Sequence, residues 1–176
     1  KQARIAVLEK GYLGGGNVGR NTTIIRSNYL LDGNQPFYEF SLKLWEGLEQ
    51  DFNYNAMVSQ RGIINLFHTD AQRDAYTRRG NAMIMHGADA ELLNKDQVRS
   101  MYPFLNFDNA RFPIKGALMQ RRGGTVRHDA VAWGYARGAD QRGVDLIQNC
   151  EVTGMRIENG RILGVETSRG FIGAKK

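Results

Sequence analysis

Apolar and polar positions along the chain change rhythm several times, and each change predicts an element. Residues 4–8 (Arg4, Ile5, Ala6, Val7, Leu8) form a short apolar, β-branched run, which predicts a buried strand. It stops at Glu9, Lys10 and Gly11, and a glycine-rich stretch follows at Gly14, Gly15, Gly16 and Gly19. Residues 21–26 turn from polar to β-branched. If they are extended, Asn21, Thr23 and Ile25 share one face, and Thr22, Ile24 and Arg26 the other. Between Gln35 and Leu48 the residues Phe37, Phe40, Leu42, Leu44, Trp45 and Leu48 recur near helical spacing, predicting an amphipathic helix. A strand is expected over 61–67. A helix over 70–85 follows with Asp70 as its N-cap, then a short helix over 94–101 ending before Pro103. Residues 115–120 read as a strand and 121–125 as a turn. A helix is predicted over 128–142, with Asp129 near its positive end and Gly143 closing it, and a strand over 144–148. The tail differs in texture. Short strands over 151–157, 161–167 and 170–174 are joined by Asn159-Gly160 and by Ser168-Arg169-Gly170, the pattern of an antiparallel meander.

The order of elements is α/β with α+β character. A strand ending in an acid and followed by glycines describes the second strand of a dinucleotide-binding fold, whose terminal carboxylate bonds ribose hydroxyls. The first strand and its phosphate loop belong about 20 residues earlier, outside this sequence. The chain also stops at Lys175-Lys176, just after an edge-like strand. An internal fragment is the expected reading.

Composition narrows the class. The 176 residues are 41% hydrophobic and 24% charged, an ordinary soluble balance. No apolar run approaches the roughly 18 residues of a membrane span, and the start does not resemble a signal peptide. Cys150 is the single cysteine, so no internal disulfide can form, and a cytoplasmic location is expected. The net charge of +6 is scattered among 18 acidic residues. That pattern speaks against nucleic acid as a partner, and no membrane partner is expected.

Several residues carry candidate chemistry. Glu9 reads either as a ribose acceptor or as a solvated strand end. Gly14-Gly15-Gly16-Asn17 offers unobstructed backbone amides to a flat ring or phosphate, or is simply a flexible turn. It is not a P-loop, since no Gly-Lys-Ser/Thr follows. Arg20 and Arg26 bracket the 21–25 segment, and an arginine there can clamp a carboxylate bidentately or form a surface ion pair. His128 opens a predicted helix after Arg121, Arg122 and Arg127. The positive surroundings favour a neutral imidazole, which is a nucleophile or ligand. His68 and His86 lack ligand spacing to it, so no metal site is expected. Trp133, Tyr135 and the methionines read as packing, and Cys150 as a small buried hydrophobe.

The stretches Ile5–Gly11, Gly15–Asn17, Arg20–Tyr29, Ser41–Glu46, Ser59–Gly62, His128–Trp133 and Val144–Gly154, taken in order, resemble the beta subunits of heterotetrameric sarcosine oxidases. These lie within the D-amino-acid-oxidase-like flavoproteins, which include glycine oxidase and dimethylglycine dehydrogenase. The resemblance implies a partial FAD/NAD(P)-binding Rossmann-like domain with a β-meander and part of a substrate or interface domain. It divides the chain into an FAD-binding segment over 1–33, a substrate/interface region over 34–127 and a return to the FAD-binding domain over 128–176. It implies oxidation of sarcosine, giving glycine, hydrogen peroxide, and formaldehyde or 5,10-methylenetetrahydrofolate. It further implies noncovalent FAD, a covalent histidyl FMN, NAD on the alpha partner, and gamma and delta subunits. Tetrahydrofolate would be reached through the alpha subunit. Residue by residue, Glu9, Lys10, Asn17, Arg20, Thr22, Thr23, Ile24 and Val152 resemble FAD contacts. Arg26 resembles the arginine that binds the substrate carboxylate, and His128 the histidine joined to FMN. Arg121, Arg122 and Arg127 are expected to stabilise that flavin and its phosphate. Another amino-acid oxidase of the same family, or a flavin-holding subunit without catalysis, are the alternatives. The fragment by itself is expected to be inactive.

Overall fold

A computed structural model describes residues 4–174. In chain order the elements are β1 (Ile5–Leu8), a 3-10 turn (Asn17–Arg20), β2 (Ile24–Ile25), α1 (Asn34–Phe52), β3 (Ile63–Phe67), α2 (Asp70–Met85), β4 (Glu91–Asn94) and α3 (Lys95–Met101). There follow β5 (Gly116–Gln120), β6 (Gly124–Thr125), α4 (His128–Asp140), β7 (Val144–Ile147), β8 (Val152–Glu158), β9 (Arg161–Thr167) and β10 (Gly170–Gly173). They fall into two compact units: one holds the described residues up to Thr22, with 52–56 and those from His128 on, and the other holds 23–51 and 57–127.

In the first unit β1 lies parallel to β7, with Ile5 opposite Val144 and Leu8 opposite Ile147. Helix α4 leads into β7 and packs on it and on the 3-10 turn. It buries a stripe of small residues: Ala130, Gly134, Ala136 and Gly138. A Cβ at Gly138 would come within 2.9 Å of the Phe52 ring, so the glycine is what lets the helix approach that ring closely. Gly143 follows the helix with φ +77°, the left-handed conformation that glycine adopts without penalty. The burial expected for β1 is not seen: Ile5 is 54% and Val7 50% exposed. Among the described residues β1 pairs only with β7, on which α4 packs, and a parallel pair buries its strands only where both faces are covered. Strands β8, β9 and β10 form the antiparallel meander that the turn residues predict. Asn159 and Gly160 both have positive φ, as a two-residue hairpin turn requires.

The second unit is built on the antiparallel sheet β3-β5-β4. Every residue of β5 is buried, and alternation divides its side chains between two faces. Ala117 and Met119 join Leu93, Val98, Phe107 and Ile114, while Leu118 packs with Met83 and Ala88. Strand β4 is unforeseen in the sequence, being four residues of mixed polarity that β5 recruits by pairing. Residues 121–125 are not wholly a turn either: Gly124–Thr125 pairs with β2 as β6. A Cβ at Gly124 would run into the backbone of Ser59, which excludes any larger residue.

Capping explains the helix starts. Thr69, not Asp70, is the N-cap of α2, and its Oγ1 accepts the Gln72 N–H at 3.1 Å. Asp70 sits one residue inside and pairs with Lys115 at 3.1 Å. At α3, Asn94 and Gln97 form a reciprocal capping box with bonds of 2.9 and 2.8 Å. Asn94→Ala is therefore expected to lower stability by about 1 kcal/mol, read as a shift of the urea midpoint.

Helix α1 departs most from its predicted face. Phe37, Phe40 and Leu44 are 68%, 63% and 51% exposed, whereas Gln35 and Glu39 are buried beside Leu42 and Leu48. Residues 35, 39, 42 and 46 share one side at helical spacing, and the carboxylates of Glu39 and Glu46 and the Gln35 oxygen have partners there, whereas Gln35 Nε2 has none among the described residues. Gln35 Oε1 accepts the Tyr29 N–H at 3.1 Å, and Glu39 Oε2 accepts the Ser27 hydroxyl at 2.7 Å.

Candidate functional site

In the first unit a cavity of about 450 Å³ opens beside the start of α4. That size lies within the roughly 300–1,000 Å³ of small-molecule sites. Its walls include Tyr12, Gly14, Val18, His128, Trp133 and Gln148. The glycine-rich loop is held in place by its backbone. Gly15 N–H donates to Tyr12 O at 2.9 Å, Leu13 N–H to Gln148 Oε1 at 2.6 Å, and Asn149 N–H to Gly11 O at 2.8 Å. Gly14, with φ +81°, stands in the loop where a side chain would be strained.

His128 is the first residue of α4 and faces this cavity. Its Nδ1 is buried with no hydrogen-bond partner among the described residues. The other histidines differ, since His68 contacts Pro113 O at 3.2 Å and His86 contacts Asp32 at 3.1 Å. Among the described residues no set of three or more His, Cys, Asp or Glu side chains is placed to hold a metal.

Other sequence-predicted residues of this unit lie around the same end of β1. Glu9 is half-buried at the strand's tip, and its Oε1 accepts the Gly11 N–H at 2.7 Å. Lys10 makes an exposed ion pair with Glu151 at 3.6 Å. Asn17 and Arg20 begin and end the 3-10 turn, and Thr22 follows it in exposed coil. Val152 opens β8 opposite Thr167, next to a register shift.

The second unit holds Thr23, Ile24 and Arg26. Thr23 has φ +59°, so residues 21–26 are not uniformly extended and the simple face alternation breaks there. Its carbonyl accepts the Val126 N–H at 2.9 Å. Ile24 pairs with Thr125 in the β2–β6 ladder. Arg26 donates from Nη1 to Asn28 Oδ1 at 2.7 Å, and its guanidinium lies 5.1 Å from the centroid of the Tyr29 ring. Tyr29 stacks on Tyr38 at 3.9 Å. Burial raises the Tyr29 phenol pKa, a hydrogen bond with Tyr38 raises it further, and Arg26 opposes both. Tyr29 is thus neutral at ordinary pH and presents an aromatic face to the arginine.

Sequence reasoning missed the carboxylates that occupy two of the arginines. Arg122 binds Glu46 through Nε and Nη2 at 2.8 and 2.9 Å and also pairs with Glu39. Arg121 binds Glu91 through Nε and Nη2 at 2.9 and 2.6 Å. Both guanidinium groups thus have carboxylate partners within the second unit. Acids at 39 and 46, seven apart on one helix face, were the readable signal.

A parallel strand pair ending in an acid, a constrained glycine loop and a helix start facing a cavity describe a flavin- or dinucleotide-binding class of protein. The chain belongs to the FAD dependent oxidoreductase (DAO) family, whose sequence profile matches residues 1–175. It is 81% identical over 172 residues to sarcosine oxidase subunit beta of Rhizobium meliloti (strain 1021), covering 98% of this chain and 41% of that protein. It is 50% identical over 172 residues to the subunit of the same name from Rhodobacter capsulatus, covering 98% of this chain and 42% of that one. The chain thus spans about two-fifths of the length of these relatives. The crystal structure of L-proline dehydrogenase from P. horikoshii shares the fold, with a TM-score of 0.86 at 23% identity over 98% of this chain and 44% of the other. No helix among the described residues is long and apolar enough to cross a membrane.

Proposed function

We propose that this chain is part of the beta subunit of a hetero-oligomeric sarcosine oxidase. The full protein would convert sarcosine to glycine, with hydrogen peroxide and either formaldehyde or 5,10-methylenetetrahydrofolate. The observation that carries this reading is the 81% identity to the Rhizobium meliloti subunit along nearly the whole chain. Bound FAD would supply the two-electron oxidation of the substrate C–N bond.

The chain's own residues suit that task. One oxygen of Glu9 caps the loop at Gly11, and the other can accept ribose hydroxyls. Lys10, Asn17, Arg20, Thr22 and Val152 in the first unit, and Thr23 and Ile24 in the second, are assigned as further FAD contacts. Arg26 is assigned to the substrate carboxylate: a guanidinium whose partners are an amide and a phenol ring keeps its charge for an anion. His128, with its unpartnered Nδ1, is assigned as the attachment point of a covalent FMN. NAD on the alpha subunit, tetrahydrofolate reached through it, the gamma and delta subunits and a cytoplasmic location complete the proposal.

Arg26→Lys tests the substrate assignment. A lysine keeps the charge but loses the planar fork, so KM for sarcosine is expected to rise about tenfold or more. Anaerobic flavin reduction in the full-length protein measures it. An unchanged KM removes Arg26 from the substrate site.

A further inference from the structure

The segment that carries Arg26 is held by a relay of buried and half-buried polar groups whose donor and acceptor order is forced. A guanidinium has only donors, so the Asn28 atom turned toward it is the carbonyl oxygen. The Asn28 Nδ2 therefore points the other way, and it donates to Asn65 Oδ1 at 2.6 Å. Asn28 is 2% exposed, where an amide with one end unmet would be costly. Asn65 sits mid-strand in β3, opposite Leu118 of the central strand, so the far end of the relay is anchored in the sheet.

The residue between Arg26 and Asn28 is anchored as firmly. Ser27 is fully buried, its N–H donates to Gln120 Oε1 at 2.9 Å, and Gln120 Nε2 donates back to the Ser27 hydroxyl at 2.6 Å. The arginine thus leaves a fixed backbone, lies over a ring and meets an amide oxygen whose direction is set from behind. That oxygen orients the guanidinium without neutralising it. A carboxylate in the same place would make an ion pair and compete with any incoming anion.

We propose that Asn28 is a positioning residue that presents Arg26, still fully charged, to the carboxylate of an amino-acid substrate, and that Asn65 sets the direction of the Asn28 amide. The proposal rests on the assignment of Arg26 to the substrate carboxylate.

The experiment uses the full-length, flavin-loaded protein with sarcosine as substrate and acetate as an unreactive monocarboxylate. Acetate binding is followed by calorimetry, independently of turnover. Asn28→Asp places a carboxylate against the guanidinium and is expected to weaken acetate binding and raise the sarcosine KM by about tenfold, with kcat changing much less. Asn65→Leu removes the acceptor that holds the amide in place and is expected to shift both values in the same direction. A purely structural role would lower kcat and the amount of folded protein without this split. If Arg26→Lys weakens acetate while Asn28→Asp and Asn65→Leu do not, the positioning role is overturned. If Arg26→Lys leaves acetate unaffected, the assignment of Arg26 itself fails. Should Asn28→Asp not fold, Asn65→Leu decides by the same two readings.

Discussion

Full-length protein assembled with its partner subunits is expected to retain flavin in the pellet after acid precipitation, and the His128→Ala variant to release all of it. The His128 Nδ1 is buried and has no hydrogen-bond partner among the described residues. Leaving such a group unmet costs on the order of 1–3 kcal/mol. The imidazole lies at the first residue of α4 and faces a cavity walled by the glycine loop and Trp133. Bond formation to a flavin carbon uses the lone pair of a neutral ring nitrogen. Absorbance near the flavin bands in the washed pellet is the measurement. Flavin released wholly into the supernatant by the unaltered protein would reassign His128 to a structural role.

Arg122→Ala should be among the most destabilising single changes in the second unit. It leaves Glu39, 6% exposed, without its countercharge, and it frees Glu46 from a bidentate partner. Breaking a buried pair from one side costs about 3–5 kcal/mol. The loss depends on pH, with a sign set by Glu46. Its carboxyl is held below the ordinary value, chiefly by the hydrogen bond from Arg122, against the opposing effect of burial. A carboxyl depressed on folding contributes stability that is present above its unfolded pKa, about 4.3, and lost as pH falls through the folded value. Wild type and variant should therefore differ most near neutrality and converge in acid. Urea denaturation at several pH values reads this directly. A gap that stays constant down to about pH 3 would mean that Arg122 acts by packing alone.

Much of the local structure was readable along the chain because it rests on local rules. Asn159-Gly160 required positive φ at two successive residues and formed the hairpin turn. Gly143 ended α4, and the strand-forming residues of the tail paired in sequence order. The acid-tipped strand followed by glycines was legible for the same reason, since the chain must turn sharply there whatever surrounds it. The capping of α2 was misread by one residue. Thr69 and Asp70 are both good caps, and only the backbone decides which stands outside the first turn.

The face of α1 could not be read in this way. Apolar residues at helical spacing suggested Phe37, Phe40 and Leu44 as core, but a helix turns inward whichever side finds partners. Ser27, Tyr29 and Arg122 supplied those partners to Glu39, Gln35 and Glu46. The same long-range pairing accounts for Arg121 and Arg122. They are adjacent to a candidate flavin histidine in the sequence, yet both are bound to carboxylates 30 or more positions away. The relay from Asn65 through Asn28 to Arg26 joins Asn28 to a residue 37 positions away and leaves no periodic trace.

The sequence by itself therefore determined the class of fold, the hairpin turn at Asn159-Gly160 and the glycine loop, because backbone conformation is a local property. Only the tertiary structure decided which polar side chains go inside, which arginines find carboxylate partners, and that the His128 Nδ1 is buried without a partner among the described residues. Those outcomes depend on pairing a buried donor with a distant acceptor, and the energy of that pairing is fixed by proximity in space rather than by order along the chain.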